Sequence, residues 1–529
     1  MTRSRKSEGP AETQGATPGY PAWDPRRAEI TAVSQRAAEE PGWLIAPLCT
    51  TAGLNRPLAA VCLAACVIVC WNSAVHDPAI GYDAGEHLKY VEALSTLELP
   101  GPDQTYEFFC PPLPYAFPAV LRAAGVEPRS AARAALLLNA LFYAATLWSI
   151  LALGRSMRID DPTPRLAAVI LLASLPVLYK SFAFLRGEPA MTAFGTLALY
   201  RAHRMIDLGE RGIRHAIGLG LCLGAAMLSR QWAAFLIVAM VIHAITAPAL
   251  RRGSRPGLAL AVSGALVVCI LTSGWFYLSL QQRFGSVAAF NRRPAPGGFS
   301  FSSQPGSFYF GLGTDRLFSD PVTPAFANRM LPVVYSETWG DYWSYWAIYG
   351  RNARNGKFLD GYSLMTFLAR DPPPEWLETN RAPMGRYLGR VNAVSLLPTA
   401  LMLAGLAWGI RRGASFLLGV DRSPAAGASA IAAWTVLIGL AGYLWFLVAY
   451  PVPDSGTTLK AIYLLVLFPI LSLLTGEMAG CLPRRARAAA LALLVLCALH
   501  NSPLFLTHFS AGPPSAPPAP RASSASRSS

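Results

Sequence analysis

From Pro57 to Ala74 the chain runs eighteen residues without a charged side chain, and ten further apolar runs follow. They cover roughly 134–153, 166–185, 189–200, 214–229, 231–250, 257–280, 391–410, 424–450, 461–476 and 488–506. A run of about 18 apolar residues is long enough to cross the hydrocarbon core of a bilayer. Inside lipid the backbone must satisfy its own polar groups, so such runs fold as helices. The run at 189–200 is short and is read as continuing past its flanks at a buried turn, while Pro176 and Pro469 interrupt two others. Composition agrees: 53% of the 529 residues are hydrophobic and 14% are charged, against about 25% charged in soluble domains. A water-soluble globule, a disordered chain, a fibrous repeat and a disulfide-framed secreted fold are all excluded for the chain as a whole. The expected fold class is an all-α polytopic membrane protein with about eleven transmembrane helices.

Charge placement sets the orientation. With the N-terminus inside, the inner connections hold Arg155, Arg158, Arg165, Arg201, Arg204, Arg211, Arg214, Arg251, Arg252, Arg255, Arg411, Arg412, Arg422, Arg484, Arg485 and Arg487. The short outer connections hold only Arg186, Arg230 and Lys460. This is the positive-inside asymmetry. The net charge of +15 therefore reads as a membrane address, and nucleic acid is not an expected partner. Residues 1–56 are polar and lack an apolar signal core, so they read as a flexible cytoplasmic tail. Residues 57–280 form an N-terminal transmembrane module that includes a first outer loop at 75–133. Residues 281–390 form a large extracytoplasmic loop of mixed or irregular structure, and 391–506 the C-terminal helices. Residues 507–529, rich in Pro, Ala and Ser, read as a disordered tail. Cys62, Cys66 and Cys70 repeat at helical spacing and read as packing residues; of the nine cysteines only Cys110 lies in an outer loop.

The few acids on the outer side carry the chemistry. In Asp83-Ala84-Gly85-Glu86-His87-Leu88-Lys89-Tyr90, the two carboxylates stand three apart and share a face if a helix starts after Gly81. Such a pair can divide the work of base and orienting group, or hold a divalent cation, or merely cap an interfacial helix with Asp83 at N-cap and Glu86 at N3. Glu188, after Arg186-Gly187, lies at an outer mouth, where an ionisable group is usually functional. A simple Arg186–Glu188 pair is the plainer alternative. Arg230 puts a cation at the same mouth, and Lys460 starts an outer helix where it meets an anionic headgroup or phosphate or snorkels to the interface. Acids and dispersed cations on one membrane face suit a negatively charged, lipid-linked substrate.

These residues resemble the GT-C superfamily of integral-membrane glycosyltransferases, nearest the branch of protein O-mannosyltransferases and lipid A aminoarabinose transferases (glycosyltransferase family 39-like). The resemblance rests on Asp83-Ala-Gly-Glu86-His87 with Tyr90, on Pro111 to Tyr115, on Glu188, and on Lys460-Ala-Ile-Tyr463 leading to Pro469. It departs in the first motif, where many members have adjacent Asp-Glu and two residues intervene here. The resemblance implies a GT-C-like bundle and a polyprenyl-phosphate-sugar donor. It implies a glycan, lipid or protein acceptor whose hydroxyl or amine attacks the anomeric carbon with inversion. It sets Asp83 as base with Glu86 second, Lys460 and Arg230 on the leaving phosphate, and Glu188 on sugar or acceptor hydroxyls. His87, Tyr90, Arg186 and Tyr463 join them as substrate-binding positions. Asp83 and Glu86 would also be the ligands of any Mg or Mn ion. The implied location is the plasma (inner) membrane, with the site extracytoplasmic.

In the large loop, Tyr335 to Trp346 interleaves aromatic rings with Glu337 and Asp341. Trp339 and Asp341 there suit sugar stacking and hydroxyl binding; interfacial anchoring gives the same composition. Arg292, Arg293, Arg351 and Arg354 in this loop suit headgroups or an anionic acceptor. The glycines at 218–224 lie inside a run and read as close helix packing. The alternative function is a transporter or flippase of lipid-linked or small polar substrates, which would need polar, broken helices at the membrane midplane in matching halves. A second alternative is a non-catalytic membrane scaffold.

Overall fold

The computed structural model describes residues 56–157, 162–250, 255–292, 294–295, 298–347, 375–452 and 456–509. The expected N-terminal tail, most of the C-terminal one, and Arg158, Arg251, Arg252, Arg293, Arg351 and Arg354 lie outside the described residues.

The apolar runs are helices. We number them α1 (Arg56–Val75), α4 (Pro128–Ser156), the pair α5 (Pro162–Ala173) and α6 (Pro176–Phe182), α7 (Glu188–Ile206), α8 (Ile213–Ser229), α9 (Ala233–Leu250), α10 (Arg255–Phe284), α12 (Glu375–Leu417), α13 (Pro424–Ala449), α14 (Leu467–Gly480) and α15 (Arg484–Asn501). Between them lie α2 (Ala84–Ser95) and α3 (Leu113–Ala123) in the first long connection and α11 (Met330–Trp339) in the second. Counting α5 and α6 as one crossing, this gives the eleven segments expected, and the chain is a multi-pass, all-helical membrane protein. Six helices, α1, α4, α10, α12, α13 and α15, are long and apolar enough to cross a membrane unaided. The rest are shorter or carry charge, as α7 does with Glu188, Arg201 and Arg204.

Local chemistry sets the helix ends. Proline occupies the first turn of α3, α4, α6, α7 and α13, where its missing N–H costs nothing. Glu127 caps α4 by accepting from Ser130 N at 2.8 Å, and Ser423 caps α13 by accepting from Ala426 N at 3.2 Å. Pro176 breaks the third crossing, and α5 and α6 meet at 61°. The Tyr179 hydroxyl donates to the Ala173 carbonyl at 2.7 Å, so the break leaves that acceptor satisfied.

Small residues bring helices close. A Cβ on Gly220 would meet the Ala265 carbonyl oxygen at 2.5 Å, and one on Gly224 would meet Thr272 Cβ at 2.6 Å. The glycines thus let α8 lie directly on α10. At the arginine-rich end of the bundle, His203 Nδ1 (2.9 Å) and His243 Nε2 (3.1 Å) both bond the Asp207 carboxylate, tying α7 to α9. At the opposite end the first and last spans are clasped. Asn72 donates to the Phe505 carbonyl at 2.7 Å and accepts from Thr507 N at 3.0 Å; Asp77 N donates to the Phe509 carbonyl at 3.0 Å. Thr507–Phe509, expected to begin a disordered tail, are packed: Phe509 is buried, because its carbonyl and ring serve this clasp.

The large loop has no strand among the described residues. It is irregular, with α11 and short helical turns at Phe301–Ser303, Gly306–Phe310 and Thr314–Leu317.

Candidate active site at one end of the bundle

The first connection positions the acids. Gly81 (φ 138°) and Asp83 (φ 58°) turn the chain sharply before α2 begins at Ala84. A left-handed Asp costs about 1 kcal/mol, and what holds it is its side chain. Asp83 occupies the N-cap position but makes no capping bond. Its Oδ2 lies 2.9 Å from Lys460 Nζ and 3.5 Å from Arg186 Nη1, and its Oδ1 accepts from the Tyr106 hydroxyl at 2.8 Å. Burial pushes the carboxyl up, but Lys460 and Arg186 outweigh it and hold Asp83 well below the usual carboxylate range. Burial likewise pulls Lys460 down, and the Asp83 charge reverses this, so its ammonium is held above its ordinary value.

Glu86 goes elsewhere. It pairs with Lys89 at 2.7 Å and accepts from Tyr106 N at 3.2 Å, outside the cavity that Asp83 lines. The two carboxylates therefore do not converge, and the residues do not fit a divalent cation held between them. Among the described residues no group of three or more His, Cys, Asp or Glu side chains is gathered for a metal. His87 is buried behind α2 with its Nδ1 2.8 Å from the Tyr115 hydroxyl. Burial first, then Arg186 and Arg230, keep its imidazole well below its ordinary value and neutral. Tyr90 donates to the Cys110 carbonyl at 2.8 Å. Both brace the wall rather than line the cavity.

The second acid, Glu188, is fully buried between two arginines. Arg186 Nε stands 3.2 Å from one of its oxygens and Arg230 Nη2 3.0 Å from the other. Arg186 also donates to the Tyr82 carbonyl at 3.0 Å, so the α6–α7 turn is fastened to the first connection. Glu188 thus aims two guanidiniums at the cavity and does not itself line it.

The cavity holds about 380 Å³, within the usual range for small-ligand sites. Arg186, Arg230, Arg292 and Lys460 face it with Asp83, Glu107 and Tyr106; Trp232, Phe290, Trp445, Phe446, Tyr450 and Tyr463 form its aromatic side. Glu107 and Tyr106 carried no motif that marked them; the only signal was an acid three residues before Cys110 in the same loop. Glu107 is buried beside Cys110 Sγ (2.8 Å) and Arg230 (3.9 Å). Burial and the Asp83 charge push its carboxyl above its ordinary value, against the pull of Arg230.

Trp339 and Asp341 take no part in the cavity wall. Trp339 is buried and donates to Thr399 Oγ1 at 2.8 Å. Asp341, also buried, accepts from the N–H groups of Tyr345, Trp346 and Ala347 at 3.0, 2.8 and 2.7 Å.

Fold and site define a polytopic, all-helical membrane protein with a cation-rich, aromatic-sided cavity at one end of the bundle. Residues 126–275, which include Glu188 and Arg230, match the family model of dolichyl-phosphate-mannose-protein mannosyltransferases. The match is a similarity over part of the chain, 150 of its 529 residues. No curated protein matches its sequence. Among solved structures, the archaeal oligosaccharyltransferase AglB from Archaeoglobus fulgidus, in complex with an inhibitory peptide and a dolichol-phosphate, is similar at TM-score 0.43 and 14% identity. That likeness covers 85% of this chain and 56% of the archaeal one, so the chain spans little more than half its length. ArnT from Cupriavidus metallidurans bound to undecaprenyl phosphate is similar at TM-score 0.34 and 13% identity, over 80% of this chain and 77% of its own.

Proposed function

We propose that the chain is an inverting glycosyltransferase that moves a sugar from a polyprenyl-phosphate-linked donor to a hydroxyl or amine acceptor. The observation that carries this reading is Asp83, ionised in a cavity beside Lys460 and Arg186, with Arg230 and Arg292 in the same wall. Four cations stand against Asp83 and Glu107 in the wall and Glu188 behind it, so the cations outnumber the acids, which suits a phosphate. The aromatic side suits a sugar ring. The family match over residues 126–275 favours transfer chemistry over the transporter and scaffold readings.

In this mechanism Asp83 takes the acceptor's proton as its oxygen or nitrogen attacks the anomeric carbon. The bond from that carbon to the phosphate oxygen breaks, and the polyprenyl phosphate leaves with the electron pair. Lys460 and Arg230 meet the charge that develops on it. Asp83 paired to Lys460 is a weak base. When a donor phosphate draws Lys460 toward itself, Asp83 keeps only the more distant Arg186 as counter-ion, and its basicity rises at the moment the acceptor must be deprotonated. A site that arms its base only when the donor is present wastes little donor on water. The cavity end is extracytoplasmic in this reading, with the arginine-rich end and the N-terminus in the cytoplasm and the protein in the plasma (inner) membrane. The partners are the lipid-linked donor, membrane lipids, and a glycan, lipid or protein acceptor.

The test gives purified protein in nanodiscs a radiolabelled polyprenyl-phosphate sugar and candidate acceptors. Asp83→Asn should lose about 10²–10⁴-fold in transfer rate while still folding, with stability lowered by no more than the lost pair with Lys460, about 1.5–3 kcal/mol. Full transfer by a folded Asp83→Asn removes Asp83 as base; no transfer from any lipid-linked sugar by the unaltered protein overturns the reading.

A further inference from the structure

Lys180 is fully buried on α6, beyond the break at Pro176, and the mechanism above does not use it. Its ammonium pairs with the Glu337 carboxylate, stands 3.8 Å from Asp341, and lies 3.4 Å from the carbonyls of Glu337 and Gly340. A buried charge of this kind is costly unless it is fully partnered. All its hydrogen-bond and ion-pair partners come from one segment, the end of α11 and the turn that follows; the Tyr82 ring stands 6.0 Å away. That turn is tightly specified: three successive N–H groups converge on Asp341, and Trp343 N donates to Glu337 Oε2 at 3.2 Å.

The turn reaches the cavity by two routes. The Trp343 indole N–H donates to the carbonyl of Leu459 at 2.9 Å, one residue before Lys460. The Tyr345 ring packs edge-on against Tyr82 at 4.9 Å, and Lys460 Nζ stands 4.9 Å from the centroid of the same Tyr82 ring. Both routes end on the ammonium that faces Asp83.

We propose that the buried Lys180–Glu337–Asp341 cluster is a positioning device. It anchors the turn at 340–347 to the broken helix, so that Trp343 and Tyr345 hold Lys460 at hydrogen-bonding distance from Asp83. Glu337, Asp341 and Lys180 are positioning residues; none touches the substrate cavity. The catalytic part of the proposal rests on the glycosyltransferase reading, whereas the placement of Lys460 does not.

Two variants test it. Lys180→Met/Glu337→Gln severs the tie to α6 and leaves the N–H bonds of Asp341 in place. Trp343→Phe keeps an aromatic ring, removes the bond to Leu459 and trims part of the buried indole, which secures the test if the double variant fails to fold. The first readout is independent of activity: acetylation of Lys460 by acetic anhydride, followed by mass spectrometry. A freed Lys460 should be acetylated several-fold faster in the variants, with Trp343→Phe still folded. The second is the pH profile of transfer: kcat should fall about tenfold or more, and the acid limb should move up as Asp83 loses the Lys460 charge beside it. Acetylation rates equal to those of the unaltered protein in folded variants overturn the proposal. Faster acetylation with no transfer by any form upholds the positioning and overturns the enzymatic reading.

Discussion

Asp83 and Lys460 lie 377 positions apart in sequence and 2.9 Å apart in space, and their pairing has a definite pH signature. Asp83 is held below its ordinary value, so its contribution to stability is full above about pH 4 and is lost as pH falls through the lowered value. Lys460 is held above its ordinary value, so its contribution is full below about pH 10 and is lost as pH rises through the raised value. Between those limits Lys460→Met should be less stable than the unaltered protein by a constant amount, about 1.5–3 kcal/mol for a charge-assisted bond. Denaturant titrations at a series of pH values would check it; a gap that grew steadily from pH 5 to 9 would contradict the assignment. Both residues were legible in the sequence because charges are so few on their side of the chain that each one stands out. Glu107 was not, since nothing in Tyr-Glu-Phe-Phe-Cys separates an acid turned into a cavity from one turned to water. Trp339 and Asp341 were legible as important but not for what they do. An aromatic and acidic segment has the same composition whether it grips a sugar or a buried lysine, and the lysine in question stands some 160 residues earlier.

At the level of elements, lipid makes the sequence easy to read. A segment surrounded by hydrocarbon must be uncharged and helical, so the spans could be placed by charge alone, and α1, α10 and α13 fall within a few residues of the expected limits. Packing is harder to see. The glycines at 218–224 read as a contact face, and two of them are one, but Gly218 faces the Arg201 guanidinium, a side chain that can move aside. The expected outcome follows that division. Gly220→Val should destabilise the protein by about 1–3 kcal/mol as α8 is pushed from α10, whereas Gly218→Ala should be nearly neutral. Thermal unfolding in detergent distinguishes them, and equal losses would mean that the α8–α10 contact is not set by Gly220. The break at Pro176 was visible as a proline. Its use was not, because the sequence does not say that the helix beyond it carries a lysine into the interior.

Over the whole molecule, arginines crowd one end of the bundle and the cavity occupies the other. The proposed orientation can be checked with native and introduced thiols. Leu97, 93% exposed at the cavity end, can be replaced by cysteine, while Cys481 is already exposed at the arginine-rich end. In intact cells a membrane-impermeant maleimide should label Leu97→Cys and should reach Cys481 only after the membrane is opened. The reverse pattern would invert the topology and with it the side on which donor is consumed.

The clasp between the two outermost spans bears on when this protein becomes itself. The Asn72 side chain and the Asp77 N–H bond to Phe505, Thr507 and Phe509, and His508 N donates to the carbonyl of Trp346, at the end of the aromatic turn. A ribosome delivers those residues after every span has been made. Until then, the stretch that leads to Asp83 and the turn that steadies Lys460 both lack their final fastening. The bundle can enter the membrane piece by piece during synthesis, but its working end closes only once residues 505–509 have been made, and a polypeptide stopped a few residues short of 509 would be inserted without being finished.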